Sequence, residues 1–189
     1  MKKLIQISLY ISLFFLSIIL VNCDKSDPVI PNEEELITTL IYTLTPPGGG
    51  AAEVLTFRDL DGDGGNPPTI TGGTLNSGIE YIGTLTLLNE AEPPVEDITE
   101  EIAEENTSHQ FFFNVTNGLE LEVAYGDTDD LGNPLGLSTI TSAGKVSSGN
   151  LVITLRHEPD KFAEGVFDGD ITNAGGNTDI QVTFPVEIQ

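Results

Sequence analysis

Period-2 alternation of apolar and polar residues runs through the chain beyond residue 36. Leu36, Leu40, Tyr42 and Leu44 share one face, with Thr38 among them, and Leu55 with Phe57 makes a short second run. Ile79, Tyr81, Leu85 and Leu87 follow, then His109, Phe111, Phe113 and Val115, then Leu119, Leu121, Val123 and Tyr125 opposed by Glu120 and Glu122. Leu151, Ile153, Leu155 and His157 repeat the pattern, as do Ile180, Val182, Phe184, Val186 and Ile188; weaker strands are expected near 69–75 and 136–142. One apolar and one polar face per strand is the mark of antiparallel sheets packed on a shared core. The pattern predicts an all-β chain, an antiparallel β-sandwich of about 8–9 strands.

Turn residues punctuate these runs, and Asn117-Gly118 joins two of them by a two-residue link, the strongest short-range hairpin signal. The exception to strand patterning is Pro94–Glu105, where Val95, Ile98 and Ile102 fall at helical spacing among acidic residues. It predicts one short amphipathic helix across an end of the sandwich.

The N-terminus follows a different rule. Lys2 and Lys3 precede an apolar run from Leu4 to Val21, the pattern of a secretory signal. The run is nearly long enough to span a bilayer, but it closes on Leu20-Val21-Asn22-Cys23, which resembles a bacterial lipobox. Residues 1–22 are thus expected to be a lipoprotein signal peptide, and Cys23 the lipidated (palmitate-bearing) first residue of the mature protein. As the chain's one cysteine, Cys23 leaves no partner for a disulfide and no Cys-based zinc or redox site. Residues 23–35, polar and proline-punctuated, read as a tether, and residues 36–189 as the sandwich domain.

Charge narrows the partners. Thirty acidic residues against seven basic ones give a formal net charge of −23. A field of that sign repels nucleic acid and concentrates cations, so nucleic-acid binding is excluded and cation binding becomes a question for the loops.

Asp59-Leu-Asp-Gly-Asp-Gly64 is the sharpest local motif. Carboxylates of Asp59, Asp61 and Asp63 at alternate positions could turn onto one hard cation, as in the first half of a calcium loop. Ile70 stands where the twelfth-position acid of an EF-hand belongs, so Ca²⁺ would need further ligands; otherwise the loop is an Asx turn satisfying its own backbone. Asp127 and Asp129 form a looser echo, and Asp168, Asp170 and Asp179 with Asn173 and Asn177 a looser one still.

The two histidines suggest a second chemistry. If 109–116 and 119–126 form a hairpin, the loop 127–135 returns to the pole of His109, and up-and-down connectivity then brings His157 there too. Two imidazoles with Asp127, Asp129 and Glu158 nearby could hold Zn²⁺ or Cu²⁺; the plainer expectation is two semi-buried histidines, each hydrogen-bonded at a strand end. Catalysis finds little support: no Ser-His-Asp or Cys-His arrangement is visible. Pairs such as Glu100-Glu101 sit on the exposed side of the expected helix, and an envelope hydrolase would need a cleft with convergent polar groups.

Five stretches taken together carry a resemblance: Asn32–Thr39, Leu55–Gly64, His109–Phe113, Leu155–Pro159 and Gly169–Gly176. They resemble a family of small, uncharacterised Bacteroidota lipoproteins, some of which have been assigned a type 1 periplasmic-binding fold. That two-lobed α/β architecture does not suit a strand-patterned chain. The resemblance implies a lipid-anchored protein of the bacterial cell envelope, at the outer membrane, and supplies no activity. The expected function is a non-enzymatic binding or interaction module using calcium at its Asp-rich loops; the alternative is a zinc or copper capture or delivery protein using His109 and His157, accessory to an outer-membrane importer.

Overall fold

A computed structural model describes residues 35–62 and 65–189; the signal segment, Cys23 and Asp63 lie outside the described residues. Two sheets stack face to face. The larger runs in the spatial order β3 (Thr69–Thr71), β2 (Glu53–Arg58), β1 (Thr39–Thr45), β5 (Glu80–Asn89), β9 (Ser138–Ala143) and β8 (Leu121–Tyr125), with β6 (Glu96–Asp97) paired to β5. The smaller has the order β4 (Gly73–Leu75), β11 (Asn177–Ile188), β10 (Ser147–His157) and β7 (His109–Thr116).

Their facing sides make one core. Leu40, Tyr42 and Leu44 from β1 meet Phe111, Ile153, Val182 and Phe184 from the other sheet, and Leu121 joins them. The period-2 faces read from sequence are therefore the buried faces, because only that register removes the apolar residues from water; the exception is Leu36, which lies ahead of β1 and is exposed. The expected helix is α1 (Ile98–Glu104): Asp97 caps it by accepting from the Thr99 backbone N–H, and Ile98 and Ile102 are buried. Val95 stays exposed, since the helix begins only at Ile98.

One polar group sits at the centre. The Tyr42 hydroxyl lies 2.6 Å from Thr139 Oγ1 and 2.7 Å from Thr141 Oγ1, in a buried cluster. Gly83 leaves room for it, as a Cβ there would stand 2.5 Å from that hydroxyl. Removing one member of a buried network orphans the others. Tyr42→Phe is expected to cost about 1–3 kcal/mol in urea unfolding; a loss below about 0.5 kcal/mol would show that the threonines satisfy each other.

The described residues form eleven strands rather than eight or nine. The expected strand at 69–75 divides at Gly72, where a Cβ would stand 2.1 Å from the Pro185 carbonyl oxygen; β3 joins one sheet and β4 the other. The two-residue β6 accounts for the second extra strand. The β4–β11 pair is parallel, whereas all other pairs among the described residues are antiparallel.

The expected hairpin at Asn117-Gly118 is corrected. Both residues have positive φ, 61° and 82°, as a tight two-residue turn requires. The turn nevertheless carries the chain from β7 in one sheet to β8 in the other: β7 pairs with β10 and β8 with β9. Both flanking strands present apolar residues to the same core, and that burial is met by crossing the sandwich rather than by pairing.

Candidate metal centre

At one pole of the sandwich, four side chains converge: Glu35, His109, His157 and Asp179. Register sets the histidines. His109 opens β7, His157 ends β10, and the two are paired across that ladder. Each continues its strand's inward face, so both imidazoles point to the interior; His109 is 0 % and His157 3 % exposed.

Asp179 arrives by a backbone irregularity. Along β11 the inward residues are 180, 182, 184, 186 and 188, so strict alternation would send Asp179 outward with Gln181. Between β10 and β11, however, Leu155 faces Ile180 and Arg156 faces Thr178. Asp179 is the extra residue of a β-bulge, and bulges re-aim side chains; its side chain is 0 % exposed. The approach to the bulge demands glycine. Gly176 has φ +67°, and a Cβ there would stand 2.2 Å from the His157 carbonyl oxygen. Glu35 comes from the other side, on the segment that leads into β1.

His109 Nε2 lies 3.1 Å from His157 Nδ1, 3.2 Å from Glu35 Oε1 and 3.9 Å from Asp179 Oδ2. His157 Nδ1 lies 3.5 Å from Glu35 Oε2 and 3.9 Å from Asp179 Oδ1. One ligand atom from each residue fits within a mutual distance of 4.8 Å. Ligands at about 2.0–2.1 Å around a tetrahedral ion stand about 3.3 Å apart. The observed separations bracket that value, so the cluster could hold a metal ion.

The surroundings suit the same chemistry. His109 Nδ1 is 3.1 Å from the Glu105 carbonyl oxygen, just past α1. Donating its proton there leaves the Nε2 lone pair facing the cluster, the second-shell arrangement usual for a ligating histidine. Burial pushes the His109 imidazole below its ordinary range, favouring the neutral form that binds metals.

The sequence brought His109 and His157 to one pole, and the structure brings them together through ladder pairing rather than up-and-down connectivity. The remaining expected ligands are elsewhere. Asp127 accepts from the backbone N–H groups of Gly136 and Ser138. Asp129 accepts from Leu131 and Asn133 and is paired with Lys161 at 2.9 Å. Glu158 is exposed. Asp59 accepts from the Gly62 N–H, and Asp61 from the backbone and side chain of Asn66; Asp63 lies outside the described residues. Among the described residues, the one group of metal-ligand spacing is the histidine cluster.

Glu35 and Asp179 were the residues that sequence reasoning missed as partners of the histidines. Glu35 closes a run of acids that reads as linker, and Asp179 had been grouped with the oxygen-rich 168–179 loop. Glu35 lies four residues before β1 and Asp179 inside β11 at its bulge, and neither position carries a mark in the apolar pattern.

No protein-family model matches the chain. Neither curated proteins nor solved structures provide a match.

Proposed function

We propose that this protein is a non-enzymatic metal-binding module of the bacterial cell envelope, anchored by lipid at Cys23, that holds one transition-metal ion at Glu35, His109, His157 and Asp179. The observation that carries the reading is the meeting of two imidazoles and two carboxylates within 4.8 Å at a buried pole. Two nitrogen and two oxygen donors suit zinc or copper; calcium takes six to eight oxygens. The spread of separations around the tetrahedral value favours Zn²⁺. Four protein ligands complete a tetrahedral shell and leave no position for a reacting water, which supports binding rather than hydrolysis. The signal-like N-terminus and the lipobox-like Leu20–Cys23 support the envelope location, where a module of this kind would store a metal or pass it to an outer-membrane importer.

Metal analysis of the full-length protein purified without chelator, with calorimetric titration of Zn²⁺, tests the reading. One equivalent is expected, with high-affinity binding lost in His109→Ala/His157→Ala. Absence of stoichiometric binding, or binding that survives the double substitution, would overturn it.

A further inference from the structure

A cavity of about 700 Å³ opens beside the candidate centre, lined by Glu35, Ile37, Phe57, Asp59, Asp61 and Asp179 among others. Its lining runs from Asp61, which is exposed, to Asp179, whose side chain is fully buried, so the cavity leads from the surface to the edge of the ligand set. The Asp59 backbone N–H donates to the Thr38 carbonyl oxygen at 2.8 Å, which fixes the Asp59–Gly62 turn against the segment carrying Glu35. Glu35 is 91 % buried by its side chain, and its Oε2, 3.5 Å from His157 Nδ1, makes no hydrogen bond among the described residues.

The lining holds four carboxylates and, among the described residues, no lysine or arginine. The nearest cation in sequence, Arg58, is turned onto Glu90 at 3.0 Å. The carboxylates of Asp59 and Asp61 are fixed by local hydrogen bonds, each from the turn that follows it. Hydrogen bonds from Asn66 hold the Asp61 carboxyl below the usual range, so it is charged at neutral pH.

We infer that this cavity is the access route for the metal ion, and that Asp59 and Asp61 draw the cation in without ligating it in its final site. The inference rests on the metal-binding reading above. An acid-lined cleft with low-dielectric walls focuses the field and raises the encounter rate. Charges at the rim of a binding site act on association, whereas groups in contact with the ligand set dissociation. The Asp-rich motif thus has a role in the centre's kinetics.

Stopped-flow association of Zn²⁺ with the full-length protein, followed by a competing fluorescent chelator, separates the possibilities. In Asp59→Asn/Asp61→Asn, association is expected to slow by about five-fold or more at low ionic strength, with the dissociation rate unchanged. The difference should fade near ~1 M salt, where screening reaches only about 3 Å. Glu120→Gln/Glu122→Gln makes the same charge change on exposed residues at the opposite pole and is expected to leave association within about two-fold of the unmodified protein. Equal slowing by both pairs, or no slowing by the first, overturns the access route while leaving the metal centre standing. Failure of the unmodified protein to bind Zn²⁺ overturns both.

Discussion

Zinc at a thousand times its dissociation constant is expected to raise the unfolding free energy by about 4 kcal/mol. For a domain of this size that corresponds to a melting temperature higher by about 8–16 °C. The gain follows from linkage: the ion binds the folded chain, where four ligands meet, and has far weaker purchase on the unfolded one, where those ligands are scattered from residue 35 to residue 179. Glu35→Gln is the decisive variant. Glutamine keeps the size of the side chain and can still meet His109, so the apoprotein should melt close to the unmodified protein. It removes one anionic ligand, and an affinity loss of about 100-fold would cut the zinc gain to about 1.4 kcal/mol. Differential scanning calorimetry with and without Zn²⁺ reads both numbers. A melting temperature indifferent to zinc, or an undiminished gain in Glu35→Gln, would remove the case for this ligand set.

Lys161→Met is expected to cost about 3–5 kcal/mol in urea unfolding. Lys161 is 4 % exposed. Its ammonium donates to Asp129 Oδ2 at 2.9 Å, to the Asn106 carbonyl at 2.8 Å and to the Pro134 carbonyl at 3.3 Å. Those acceptors belong to the turn after α1 and to the loop between β8 and β9, while Lys161 belongs to the excursion between β10 and β11. One side chain therefore fastens three loops around the pole that carries the histidines. Methionine keeps the apolar stem but leaves the buried Asp129 carboxylate without its counter-charge. Lys161→Met/Asp129→Asn should consequently be less destabilised than Lys161→Met alone; if the double variant is the worse of the two, the pair is not the source of the effect.

The same pair sets an acid limit. Burial acts to raise the Asp129 carboxyl, but the Lys161 ammonium and the Asn133 groups outweigh it and hold the carboxyl below the usual range. Burial also lowers Lys161; both groups move down, which favours the charged carboxylate but opposes the charged ammonium, because desolvation outweighs the pairing only at the lysine. The Asp129 direction governs the acid side. Its folded value is below its unfolded value, so its stabilisation is complete above about pH 4 and is lost as pH falls through the folded value.

Much of this fold was legible because a buried face must alternate. Leu151, Ile153 and Leu155, or Val182 and Phe184, could be assigned inward from the residues alone. Strand partners were not, since Asn117-Gly118 makes the same tight turn whether the next strand pairs with the last or crosses to the opposite sheet. The histidines were legible as inward strand-end residues. Asp179 was hidden by the very alternation that revealed the core, because a bulge moves a side chain from one face to the other without any mark in the apolar pattern. Asp127 and Asp129 looked like ligands because loop aspartates that cap backbone amides and loop aspartates that bind cations have the same composition.

Three of the four converging side chains, His109, His157 and Asp179, belong to neighbouring strands of the smaller sheet, and Glu35 leads into the central region of the larger one. An ion seated among them would be a rivet through the seam between the layers. A half-made molecule, with its layers not yet stacked, could offer three donors at most, so full occupancy would register that assembly is complete.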